Sequence, residues 1–242
     1  MITTVSAPPT SAPPASPAPP VTAESPASTA PAPRDRTCLS TEQYLAQERH
    51  ADHKSELING VLFPMAGASA NHNRIVTNLS RLLPLETDRA IFDLFIGDMR
   101  LGLPDRPTYT YPDILVVRGT PQFQSESETE VLNPCLIVEV LSKSTSDYDK
   151  DDKFRLYKTI PSLEEYILVS QTEYAVSQYI KQDDRRWLIQ DWIGLDATLE
   201  LPAVGVSLAL ADLYKRVTLE PVATPSEAPF AAPSEAPSDK NA

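Results

Sequence analysis

Hydrophobic periodicity along this chain predicts an α/β (α+β) fold in which helices flank a mixed sheet. Three observations carry that expectation. Apolar runs at 114–117, 136–141 and 165–170 suit strands buried on both faces. Ile75, Val76, Leu79, Leu82 and Leu83 recur at helical spacing. The segments follow the order helix, hairpin, helix, several strands, helix, more strands, which suits layers packed around a sheet.

Taken in order, Ser40-Thr41-Glu42-Gln43 has the form of a capping box opening a short helix, with Tyr44 and Leu45 turned inward. Residues 54–63 give two short strands around Asn59-Gly60, a strong hairpin turn. A helix is expected over 70–88, kinked or ended early by Pro84. Strands follow at 90–96 and 101–103, then a turn bearing Pro and Arg, then the buried strand of 111–117. Residues 122–130 are polar and acidic and predict a mobile loop. After the strand of 136–141 comes a helix over 146–159, stopped by Pro161, and then the strand of 165–170. Residues 174–181 and 186–193 alternate as a hairpin. A short strand near 199–201 and a helix near 208–214 finish the pattern.

Composition sets the boundaries. Residues 1–35 are almost wholly Pro, Ala, Ser, Thr and Val, and residues 220–242 carry Pro-Ser-Glu-Ala-Pro twice. Neither has an apolar period to bury, so both read as solvated, disordered tails. Residues 36–219 form the expected single folded domain, large enough for a sizeable core. That domain holds 19 basic and 27 acidic residues, the opposite balance from a generic polyanion binder. Any nucleic-acid site must therefore be a local basic patch helped by metal ions. Seven glycines and no Gly-rich phosphate motif argue against a nucleotide loop. Cys38 and Cys135 make no disulfide framework, and Cys135 reads as a buried thiol in a reducing compartment. With no apolar run near the roughly 20 residues of a membrane span, and no leader pattern, the expectation is a soluble, cytoplasmic protein.

The chemistry is expected at Glu139. On its strand, Ile137, Glu139, Leu141 and Lys143 share one face, which leaves a carboxylate in an otherwise apolar run. Such a group needs a cation. An ion pair to a core Lys or Arg would supply one; a metal ion would supply another. Asp113 enters a similar strand after Pro112. If the two strands are neighbours, Asp113 and Glu139 converge into an oxygen-rich site of the kind that binds Mg²⁺ or Mn²⁺. His72, at the start of the long helix, reads as a satisfied surface histidine. His50 and His53 lack metal-ligand spacing with it.

Tyr111-Pro112-Asp113, then Ile137-Val138-Glu139-Val140-Leu141-Ser142, then Lys153, Tyr157 and Glu165-Tyr166 together resemble the Uma-type restriction endonucleases of the PD-(D/E)XK nuclease superfamily. The early Glu56-Leu57-Ile58-Asn59-Gly60 also resembles that family's first signature. The resemblance spans about 40–214. It implies a restriction-endonuclease-like core, a divalent metal, and hydrolysis of DNA phosphodiester bonds. It also implies that Asp113 and Glu139 are metal ligands and that Glu56 completes the site. The superfamily lysine two residues past the glutamate is replaced here by Leu141. Lys153 on the following helix is the substitute this branch implies, with Lys143 its competitor. A homodimer would supply two cuts. A catalytically inactive module on the same fold, binding nucleic acid or protein, is the alternative.

Overall fold

The computed structural model describes residues 38–103, 105–141 and 152–219. The expected tails at 1–35 and 220–242, and Lys143, lie outside the described residues. Among those residues no helix is long and apolar enough to cross a membrane.

Helix α1 (Thr41–Glu48) begins at Ser40, whose hydroxyl accepts from the Gln43 amide while the Gln43 side chain returns to the Ser40 amide. The next strands, β1 (Ser55–Ile58) and β2 (Val61–Pro64), form a hairpin with Glu56 opposite Phe63. Its turn residues Asn59 (φ 49°) and Gly60 (φ 84°) both take the left-handed conformation of a tight hairpin turn. Helix α2 (Ala70–Leu82) is capped by Ser69. It ends sooner than 88, because Pro84 prevents continuation and residues 86 and 91 bridge as extended chain.

Strands β3 (Phe92–Ile96), β4 (Arg100–Leu103), β5 (Thr108–Thr110), β6 (Ile114–Arg118), β7 (Glu130–Val131) and β8 (Leu136–Leu141) follow. Then come helix α3 (Phe154–Tyr157), strands β9 (Glu165–Ser170), β10 (Ala175–Lys181), β11 (Trp187–Ile193), β12 (Thr198–Leu201) and β13 (Val206–Ala209), and helix α4 (Leu210–Leu213). Two mixed sheets result, of order β2-β1-β5-β4-β7 and β11-β10-β9-β8-β6-β3, with a β12-β13 hairpin. Strand β8 runs parallel to β9 and antiparallel to β6.

Three local expectations are corrected. The expected turn before Tyr111 contains a strand, β5, which joins β4 to β1. The expected mobile loop of 122–130 is tied by backbone bonds from Gln124 to Glu130 and from Leu132 to Gln122, and it ends in β7. There Glu130 is buried in an ion pair with Arg100, which offsets its charge. The helix expected from 208 starts at Leu210, because 206–209 pairs with β12 instead.

The central strands are covered on both sides. One face of the six-stranded sheet packs Val138, Val140, Ile167 and Val169 in a cluster with Ile75, Val76 and Leu79 of α2 and Leu210 and Leu213 of α4. The opposite face packs Ile137, Leu141 and Leu168 in a cluster with Leu101 and Val131 of the other sheet and with Leu156 and Tyr157 of α3. Strands buried on both faces are why these segments read as continuous apolar runs.

A buried polar link anchors the β12-β13 hairpin. Fully buried Glu165 accepts from Gln178 Nε2 (2.6 Å) and from the Ala203 amide (3.1 Å), and Gln178 also donates to the Glu200 carbonyl (2.5 Å). Burial pushes the Glu165 carboxyl up to about 7, although these hydrogen bonds act in the opposite direction. The native fold therefore holds this proton more tightly than the unfolded chain does. The stability it contributes is present below the ordinary carboxylate range and is lost as pH rises through about 7. Urea unfolding should show stability falling by on the order of 3 kcal/mol between pH 4.5 and 8. A Glu165→Gln variant should flatten that fall; an unchanged slope would remove Glu165 as its source.

Candidate active site

At the β8 mid-point the strand direction puts Glu139 on the face that holds Ile137 and Leu141. Its Oε1 lies 3.1 Å from Lys153 Nζ and 3.0 Å from the Tyr157 hydroxyl. The same ammonium lies 3.1 Å from Glu56 Oε1, on β1 of the other sheet. All three charged side chains are about nine-tenths buried. One nitrogen thus joins two sheets and a helix.

The position of Lys153 follows from its neighbours. The chain enters α3 through a wide π-turn at Asp152 and Lys153, and Phe154 then packs against the sheet. Its ring centroid lies 6.0 Å from that of Tyr166, 4.5 Å from Tyr179 and 5.2 Å from Trp187. With Leu156 and Tyr157 also buried, α3 cannot present Lys153 to solvent. Tyr157 also lies 3.0 Å from Thr110 Oγ1. Burial, and then the charges of Glu139 and Glu56, push its phenol well above the ordinary tyrosine range. It remains a neutral donor to Glu139.

Asp113 approaches from β6. That strand pairs Ile114 with Val138, so one further step of the antiparallel register sets Asp113 opposite Glu139. The Asp113 carboxylate accepts the Val140 amide through Oδ2 at 2.7 Å and lies 3.0 Å from His72 Nε2 through Oδ1. The Asp113 carbonyl accepts from Gly97, whose own carbonyl accepts from Lys54 (3.2 Å). Asp98 pairs with Lys54 at the surface, so the β3-β4 turn braces the backbone of Asp113.

Glu56 is fixed by the Tyr111 amide, which donates to Oε1 at 3.0 Å. Tyr111 hydrogen-bonds Glu48 of α1 at 3.0 Å, and its phenol is pushed up to about 12, first by burial. Glu56, Glu139 and Lys153 therefore meet at one end of the β6-β8 pair. There the register sets Asp113 opposite Glu139, while the Asp113 carboxylate engages the Val140 amide and His72. Leu141, at the expected lysine position, is 8% exposed and belongs to the apolar cluster. Its strand neighbours leave no polar role for it.

Two participants were not expected. Tyr157 enters the sequence reading only within the family resemblance, and the structure makes it a donor to Glu139. His72 corrects the expectation of a satisfied surface histidine: its side chain is 17% exposed, and buried Nδ1 has no hydrogen-bond partner among the described residues. A signal was present in the spacing, since His72, Ile75, Val76 and Leu79 lie on one helical stripe.

The comparisons agree with this architecture. The family model described as "Putative restriction endonuclease", Uma2, matches residues 41–211. The chain belongs to the Uma2 family. This Uma2 chain is 47% identical over 162 residues to the uncharacterized protein sll1609 of Synechocystis sp., covering 67% of this chain and 92% of that protein. It is 37% identical over 178 residues to the uncharacterized protein slr1290 of the same organism, covering 73% and 92%. A crystal structure of a putative nuclease belonging to DUF820 from Anabaena variabilis superposes with a TM-score of 0.57 at 19% identity. It covers 73% of this chain and 97% of its own. That likeness shows a shared fold.

Removing the ammonium would take from buried Glu56 and Glu139 the cation they share. Lys153→Met should cost roughly 3–5 kcal/mol in urea unfolding. Adding Glu139→Gln in that background should recover about half of the loss. A Lys153→Met variant as stable as the parent would mean the ion pairs are not holding the sheets together.

Proposed function

We propose that this Uma2 chain is a metal-dependent endonuclease that hydrolyses DNA phosphodiester bonds. The observation that carries the proposal is the Lys153 ammonium shared by Glu56 and Glu139 beside the strand end where the register sets Asp113 opposite Glu139. Among the described residues no group of three or more metal-ligating side chains gathers, so the ion would rest on the carboxylate oxygens of Asp113 and Glu139 with water completing its shell. The donors are hard oxygens, which favour Mg²⁺ or Mn²⁺ over softer metals.

Asp113 and Glu139 would hold the ion. Each carboxylate oxygen can accept more than the contacts described, since an ionised carboxylate offers about four lone-pair sites. When bound, the cation would neutralise charge developing on the phosphoryl group and make nearby water a better nucleophile. Lys153 would orient that water or stabilise a phosphate oxygen, as the cation nearest both Glu56 and Glu139. Tyr157 would keep Glu139 aimed by donating its proton to Oε1. Two coordinated cuts would need two such sites, which a homodimer would supply. The cytoplasm would keep buried Cys135, whose thiol burial pushes up to about 11, in its reduced form.

A second reading has its own observation. Leu141 sits in the core where the superfamily places its lysine, and the domain is acidic, as suits a catalytically inactive module. Plasmid cleavage by the purified protein separates the two. With Mg²⁺ or Mn²⁺ the parent should nick or linearise DNA and EDTA should stop it. Glu139→Ala and Asp113→Ala should each slow cleavage by at least about 100-fold. Equal cleavage by the parent and both variants would mean contamination and would end the endonuclease reading.

A further inference from the structure

The His72–Asp113 contact has no part in the chemistry above, and it is built too specifically for a surface contact. His72 lies in the first turn of α2, where the Ser69 hydroxyl accepts its amide at 3.1 Å. The packing of Ile75, Val76 and Leu79 in the core fixes the helix on which the ring stands. The ring is four-fifths buried, Asp113 equally so, and Nε2 to Oδ1 is 3.0 Å. Nε2 faces the Asp113 carboxylate, and buried Nδ1 has no hydrogen-bond partner among the described residues.

The second Asp113 oxygen is held from the opposite direction by the Val140 amide, at 2.7 Å. One carboxylate is thus clamped between a backbone donor of β8 and a side-chain donor of α2. Neither donor alone fixes the rotation of the carboxylate plane; two donors on different oxygens do. Outer donors of this kind orient ligating carboxylates, and their loss typically weakens metal binding 10- to 100-fold.

We infer that His72 is a positioning residue: it aims the Asp113 carboxylate and so sets the affinity of the acidic site for a divalent cation. The inference rests on the proposal that Asp113 is a metal ligand. His72 touches neither the substrate nor the ion; it acts through Asp113.

The test is Mn²⁺ affinity, read on the full chain without DNA by titration calorimetry or by the loss of the free-ion electron paramagnetic resonance signal. Parent, His72→Ala, His72→Gln and Asp113→Ala proteins are compared, with thermal unfolding recorded for each. His72→Ala should raise the Mn²⁺ Kd by about 10- to 100-fold. His72→Gln, whose amide nitrogen lies near the position of Nε2, should return it to within about threefold of the parent. A role confined to helix packing would leave the Kd unmoved. If Asp113→Ala loses Mn²⁺ while His72→Ala binds like the parent, the His72 inference is overturned and the metal site stands. If His72→Gln folds as the parent does yet binds as weakly as His72→Ala, donation from this position is not the cause and the inference fails. If Asp113→Ala binds Mn²⁺ like the parent, both fail together.

Discussion

The Lys153 ammonium between Glu56 and Glu139 is the contact on which the rest of the structure depends. Each of the three ions loses hydration on folding, and an isolated one would cost several kcal/mol. Their mutual attraction offsets that loss only when all three arrive. Glu56 comes from the five-stranded sheet, Glu139 from the six-stranded sheet and Lys153 from the chain entering α3. The contact therefore acts as a condition on assembly. The shared ammonium forms its two ion pairs when the two sheets and α3 dock together.

The six-stranded sheet separates this arrangement into two sides. Glu139 faces the layer that holds Tyr157, Leu156 and the second sheet. On the other side α2 packs over Val138 and Val140. Asp113 lies just before β6 begins, where the sheet no longer covers it. It can therefore take one hydrogen bond from the Val140 amide of β8 and meet an imidazole of α2. The end of a strand pair is the place where groups from both layers can reach a common point, and the candidate site occupies such an end.

Residues differ in how far their placement could be read from the chain. The Asn59-Gly60 turn and the Ser40 cap were legible because their chemistry is local: a positive φ and a hydroxyl three residues from an amide. Strands β8 and β9 were legible because burial on both faces leaves a continuous apolar run. Glu139 stood out for the same reason, as the one charge in its run. What it paired with was not legible, since Glu56 reaches Lys153 across 97 positions of sequence. Strands β5 and β7 have three residues and two, too few for any period to register. His72 sat on a readable stripe, but its partner lies on another element, and its type alone favoured the surface.

The lysine position carries the last consequence. An ammonium on β8 at 141 would be fixed by the sheet, because the hydrogen bonds to β6 and β9 determine where every side chain of that strand points. Leu141 gives that position to the core instead, and the ammonium comes from the entry to a four-residue helix. So short a helix has little stability of its own. Lys153 is held only as firmly as Phe154 is seated among Tyr166, Tyr179 and Trp187, with Leu156 and Tyr157 buried behind it. Aromatic packing some distance from the carboxylates thus governs their charge balance. Undocking α3 would take the ammonium from Glu56 and Glu139 and the phenol from Glu139 in one step, so helix docking and site assembly are a single event.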